Sequence, residues 1–256
     1  MMRVFFCVLL LTTLVSCGTE KTKQNEDVSQ AGANKNDAND FVERIESIHN
    51  KKLFMEYDAI QFDLNLNFKG KQKFSGRVYM TTDGQQIQAK GERKEMYWNG
   101  KKAMILPDTA ESLKARSALF TWTHFFAAPY KLSEQSTKHH YLGPTKLGGD
   151  KYLASKMTFA NSPDDSYVLY KGDNDLLVAM TYISKGRNKK ESEPRAITYE
   201  AFTDLEGIPF ATQWNFWSRD EDGNLDKLLG SASLGNIRFM KKAGDSFNLA
   251  ASSNDR

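Results

Sequence analysis

From Ile60 the sequence alternates with a period of two: Ile60, Phe62, Leu64, Leu66 and Phe68 are apolar, and Gln61, Asp63, Asn65 and Asn67 between them are polar. Successive side chains of a strand point to opposite faces, so this run predicts a strand with one face buried and the other in water. Similar alternation returns at 78–82, 86–90, 95–98, 103–106, 152–159, 166–170, 176–183, 196–202, 211–217 and 228–239. Turn signals separate the runs: Lys69-Gly70, Asp83-Gly84, Asn99-Gly100, Gly172-Asp173-Asn174, Glu206-Gly207 and Asp222-Gly223. A parallel sheet needs a helical crossover between strands, and the spacing leaves no room for one. The expectation is a mainly β chain: a strongly curved antiparallel sheet, or unclosed barrel, of about ten or eleven strands.

Two helices break the alternation. Phe41, Ile45 and Ile48 share a helical face, and Asp40 with Glu43 fits an N-cap and its return partner, so a helix starting there would cover an end or face of the sheet. The second, over 109–126 with Thr109 as cap candidate, carries Ala110, Leu113, Ser117 and Phe120 at helical spacing and runs into Leu119-Phe120-Thr121-Trp122-Thr123-His124-Phe125-Phe126. Pro129-Tyr130-Lys131-Leu132 ends it.

The first forty residues are of another kind. Arg3, an apolar run from Val4 to Leu11 and the small-residue close before Cys17 read as a secretory signal peptide over 1–16, too short for a permanent span. Leu14-Val15-Ser16-Cys17 also resembles the lipobox of bacterial lipoproteins, which implies cleavage before Cys17 and a diacylglycerol thioether on its sulfur. Acyl chains buried at about 0.8 kcal/mol per methylene would hold the chain to a bilayer. Gly18, not Asp, follows the cysteine, which under the enteric rule points to the outer membrane of a Gram-negative envelope. Residues 18–40 contain no aromatic, Leu, Ile or Met and have Val28 as their one branched aliphatic, the composition of a flexible tether. The expected organisation is therefore signal peptide 1–16, lipidated Cys17 and tether 17–40, a folded domain 41–242 and a flexible tail 243–256.

Composition excludes several chemistries. Of 256 residues only Cys7 and Cys17 are cysteines, so the folded domain has no thiol for a disulfide, a thiolate metal site or a cysteine nucleophile. Thirty-five Lys and Arg against 32 Asp and Glu make no electrostatic case for nucleic acid. There is no G-x-S-x-G elbow, G-x-G-x-x-G loop, P-loop or H-E-x-x-H. Adjacent His139 and His140 would point to opposite faces of a strand, so a shared metal is not expected. The acidic run 220–226 lacks the distal acid of a calcium loop and reads as a hairpin turn. The basic stretch 185–190 reads as a solvated hairpin tip. No cofactor is implied, and a hydrolase remains only a third reading.

The order helix, five or so strands, aromatic helical insertion, six or so strands resembles the lipoprotein-localisation-factor superfamily of LolA and LolB type. Loose pieces such as Tyr97-Trp98-Asn99-Gly100, Phe125-Phe126-Ala127-Ala128-Pro129-Tyr130 and Gly207-Ile208-Pro209 carry the likeness over residues 41–239. The resemblance implies an unclosed barrel around a helical lid, holding a lipid, acyl chain or other apolar ligand without making a bond, with Trp98, Phe120, Trp122, Phe125, Phe126, Trp214 and Phe216 as candidate lining. Each of these aromatics would equally serve as ordinary core. The other class of function is an interaction lipoprotein with a filled barrel that docks an envelope protein partner through its strand edges.

Overall fold

The computed structural model describes residues 24–160, 162–185 and 192–241. The expected signal peptide, Cys17, the start of the tether, most of the basic stretch at 185–190 and the 243–256 tail lie outside the described residues.

Among the described residues, twelve strands form one antiparallel sheet. In chain order they are β1 (Ala59–Phe68), β2 (Lys71–Thr81), β3 (Ile87–Gly91), β4 (Glu95–Trp98), β5 (Ala103–Leu106), β6 (Thr137–Leu147), β7 (Asp150–Phe159), β8 (Ser162–Lys171), β9 (Leu177–Lys185), β10 (Ser192–Leu205), β11 (Ile208–Arg219) and β12 (Leu225–Met240). Spatially they run β5-β4-β3-β2-β1-β12-β11-β10-β9-β8-β7-β6. Two hairpin meanders thus lie side by side, joined where β1 pairs with β12, Leu64 opposite Leu234. The sheet does not close, and β5 and β6 are its edges. Since β5 and β6 are consecutive in the chain, the segment between them must pass from one edge to the other. It does so as α3 (Leu113–Ala127), lying across the concave face.

The strand count exceeds the expected ten or eleven by β6. Its sequence, TKHHYLGPTKL, has no sustained apolar alternation, and all but its last residue are at least partly exposed. An edge strand needs no strong buried face, and an edge is also where Pro144 is tolerated and where a bulge at Gly143 can sit. Lys138 and Lys146 add charge to it. The opposite edge is four residues long and partly covered: Ser112 N donates to Ala103 O at 2.7 Å, and Ile105 bridges to Asp108. Both edges are therefore blunted against further strand pairing.

Curvature needs close strand approach at a few points. A side-chain carbon at Gly230 would stand 2.8 Å from Phe68 Cα and closer still to Asn67 O; one at Gly76 would stand 2.8 Å from Gly91 Cα and closer still to Lys90 O. At these two sites only glycine lets neighbouring backbones pass, which permits the sharp coil of the sheet around α3.

α1 runs Gln24–Ile48, so it begins well before the Asp40 cap expected from the sequence and takes in much of the stretch read as tether. No proline interrupts 24–48, and its Gln, Glu, Lys and Ala residues favour helix. Asp40, now inside the helix, accepts from Arg44 Nε at 2.8 Å. The buried face is Ala38, Phe41, Val42 and Ile45, while Ile48 is 43% exposed. A short α2 (Lys51–Phe54) follows. Between them His49 fastens α1 to the sheet: Leu177 N donates to its Nε2 at 3.1 Å and its Nδ1 lies 3.1 Å from Pro209 O. Burial pushes its pKa down to about 4, so the imidazole is neutral, donating at Nδ1 and accepting at Nε2.

The lid helix also starts later than expected. Ser112, in extended conformation, caps it by accepting from Ala115 N at 3.2 Å. Thr109 cannot, because Asp108 captures Ala110 N at 2.9 Å and holds this stretch as a turn.

Candidate functional site

α3 is apolar on most of its circumference, and its inner face is packed against the sheet. Phe126 stacks on Phe62 with centroids 4.5 Å apart, and Trp122 lies 4.6 Å from Phe74. Phe125 sits among Tyr182, Trp214 and Phe216 at 5.6, 6.4 and 5.8 Å. Tyr199 Oη donates to Phe125 O at 3.0 Å. The space left beside Phe125, Phe126 and Trp214 is about 10 Å³. Five of the seven predicted lining residues, Trp122, Phe125, Phe126, Trp214 and Phe216, are thus placed in close-packed contacts, all at or below 8% exposure.

The other two stand elsewhere, Trp98 itself also 8% exposed and Phe120 38%. They meet edge-on at 4.9 Å and line a cleft of about 390 Å³ on the outer flank of α3. One wall is the end of the first meander, with Met80, Ile87 and the turn residues Asp83, Gly84, Gln85 and Gly100; the other is Met157, Phe159 and Thr137 of β7 and β6. The floor is α3 through Phe120, Thr123, His124 and Ala127, and Lys131, Leu132 and Glu134 close one end. The cleft is therefore the seam where the barrel fails to close, lined by strands from both meanders.

Its walls are apolar and its rim is polar. Asp83 is committed to its own turn, accepting from Thr81 Oγ1 at 2.5 Å and Gln85 N at 2.9 Å. Lys131 Nζ lies 3.3 Å from Glu134 Oε1. The segment that carries both is pinned from behind: Glu46 accepts from Ser133 N at 2.7 Å, Ser133 Oγ at 2.8 Å and Lys51 Nζ at 2.8 Å. His139 Nε2, 2.7 Å from Leu132 O, adds another tie. His139 turns inward and His140 is exposed, so the pair does not converge, and the described residues contain no cluster of three or more potential metal ligands. The 220–226 stretch is a turn, Asp220 Oδ1 accepting from Asn224 N at 2.7 Å.

His124 is the cleft residue that sequence reasoning passed over. Burial, with the nearby Lys131 charge, brings its pKa down to about 4, and its Nε2 is buried without a hydrogen-bond partner. Met80, Ile87, Lys131, Met157 and Phe159 were also missed. Spacing along the chain could not find them, because only the curvature of the sheet brings residues 80–100 opposite 131–159.

The class defined by this geometry is an unclosed twelve-stranded antiparallel half-barrel wrapped around one aromatic helix. No family model matches the sequence, and no curated protein matches it. Solved structures are similar to it. A DUF1329 family protein from Desulfovibrio piger is 11% identical with a TM-score of 0.52, over 85% of this chain and 98% of that one. A LolA superfamily protein from Nitrosomonas europaea is 10% identical at a TM-score of 0.46, covering 84% and 98%. An outer membrane lipoprotein-sorting protein domain from Vibrio parahaemolyticus is 10% identical at 0.44, covering 81% and 97%. At 11% identity the likeness to the DUF1329 protein is one of fold, and a LolA superfamily protein, from the superfamily anticipated on element order, is among the structures found.

Proposed function

We propose that the chain is a lipid-anchored binding protein of the Gram-negative cell envelope that holds an apolar or amphiphilic ligand in the cleft beside α3. The observation that carries this reading is the 390 Å³ cleft with apolar walls and a polar rim, a size within the roughly 300–1,000 Å³ of small-molecule sites. Trp98 and Phe120 are the ligand-facing members of the predicted set, and the packed five form the wall behind them. Binding, not catalysis, is the role: the cleft presents methylene-complementary surface with one cation and two carboxylates already held by protein partners. Docking of an envelope protein by strand addition has less support, since both sheet edges are blunted. The anchor would be Cys17, and the outer membrane its site, on the reading of the lipobox and Gly18.

Both parts are open to one line of experiment. Cys17→Ser is expected to move the protein from the membrane fraction to the soluble fraction; a variant that stays with the membrane overturns the anchor. The released protein, purified from its host without detergent, is expected to carry a lipid-sized mass in native mass spectrometry. Adding Phe120→Asp places a carboxylate on the cleft floor at a residue already 38% exposed, so the fold should tolerate it. The expected result is at least a tenfold loss of the adduct. A bare Cys17→Ser protein, or an adduct unchanged by Phe120→Asp, removes the cleft as the site.

A further inference from the structure

The rim of the cleft sets charged side chains beside its apolar walls. Lys131 follows the helical segment directly and its side chain, 22% exposed, reaches across the mouth: a side-chain carbon at Gly84, on the opposite wall, would sit 3.4 Å from Lys131 Nζ. Its ion-pair partner within the chain, Glu134, is three residues away and 49% exposed. Pairs of this kind are worth little in water and exchange readily for a better-placed anion. The second carboxylate at the mouth, Asp83, is already satisfied by the Thr81 hydroxyl and the Gln85 amide. Arg116 is not among the lining residues: it lies over Trp98 and Phe120, 5.2 and 5.6 Å from their centroids, and is paired with Glu111 at 3.8 Å. Near Lys131, the floor of the cleft includes His124, whose Nε2 is buried and has no partner; buried polar atoms left so are rare and point to a missing polar group.

We propose that the cleft takes a single-chain amphiphile with an anionic head, its carboxylate or phosphate paired to Lys131 in place of Glu134 and its hydrocarbon along Met80, Ile87, Trp98, Phe120, Met157 and Phe159. This rests on the cleft being a ligand site. An ammonium held at the border of an apolar slot orients such a ligand head outward, because burying the charged head among the methionine and aromatic side chains would go unpaired. Glu134 acts as an internal competitor that keeps Lys131 partnered when the cleft is empty.

Calorimetric titration of the soluble Cys17→Ser protein with dodecanoate, dodecyl phosphate and dodecanol, each below its aggregation concentration, tests the assignment. Both anions are expected to bind about tenfold tighter than the alcohol, and inorganic phosphate alone not at all. Lys131→Met should bring both anions down to the affinity of dodecanol while leaving dodecanol unchanged, which also shows that the variant is folded. Glu134→Gln should tighten the anions two- to threefold and leave the alcohol as it was. If dodecanol binds as tightly as the anions, or if Lys131→Met keeps the preference, the head-group assignment fails and the cleft stands. If inorganic phosphate binds as well as dodecyl phosphate, the site is an anion site and not an amphiphile site, and the assignment fails. If none of the three long-chain compounds binds, the cleft reading itself fails.

Discussion

Phe126→Ala is expected to destabilise the domain by about 3–5 kcal/mol, the range for removing a large aromatic from a close-packed core. Phe126 is 4% exposed, stacks on Phe62 and lies 6.5 Å from Tyr130, which in turn stacks on Phe54 at 3.9 Å. It therefore sits at the junction of α3, the centre of the sheet and α2, and no other side chain can collapse into its place without breaking a stack. Chemical denaturation followed by tryptophan fluorescence reads the loss. A cost below about 1 kcal/mol would mean that Phe126 faces space, and would return it to the set of residues that line a cavity. The contrast with Phe120 makes the result informative: both lie on α3, yet one holds the fold together and the other borders the cleft.

Gly230→Ala should be damaging for another reason. Here nothing is removed; a methyl is added where β12 crosses β1 at backbone contact distance, 2.8 Å from Phe68 Cα, and no flexible side chain is present to yield. Overpacking against a backbone costs about 1–3 kcal/mol and more when nothing can move, and the strain falls on the pairing that joins the two meanders. The expected outcome is a fall in melting temperature of about 10 °C or more, or no soluble protein, accompanied by loss of protection of the β1 and β12 amides in hydrogen exchange. Gly235→Ala is the control: its side-chain position meets nothing within 4 Å, so it should leave the melting temperature within a few degrees of the parent. Equal effects of the two substitutions would refute the close-approach account.

Much of the fold is legible in the sequence because a strand with one wet face must alternate. Ile60 to Phe68 shows this directly, and the predicted runs all fall on strands β1–β5 and β7–β12. β6 is silent because its edge position asks little of its side chains: the Gly143-Pro144 pair that signals a break in a central strand is acceptable where one side of the backbone has no neighbour. α1 starts earlier than the Asp40 cap expected for it because no proline interrupts 24–40 and the Gln, Glu, Lys and Ala residues there favour helix. The site was legible only in part. Aromatic content in α3 pointed to the helix that floors the cleft, but a single sequence does not say which face of an aromatic helix meets a sheet and which meets a gap. That depends on how far the sheet curls, and the curl is set at Gly76 and Gly230, far from the helix in the chain.

The pairing of β1 with β12 has a consequence for how the chain becomes this structure. Ala59 is matched with Met240, so the middle of the sheet is its least local contact. Each meander can zip hairpin by hairpin, but the two remain separate sheets, with α3 lacking one side of its bed, until the last strand has emerged. On the export proposed above, nearly the whole sequence would have to arrive before the fold could lock, which would leave the translocating polypeptide loose and give the completed domain a single late commitment step.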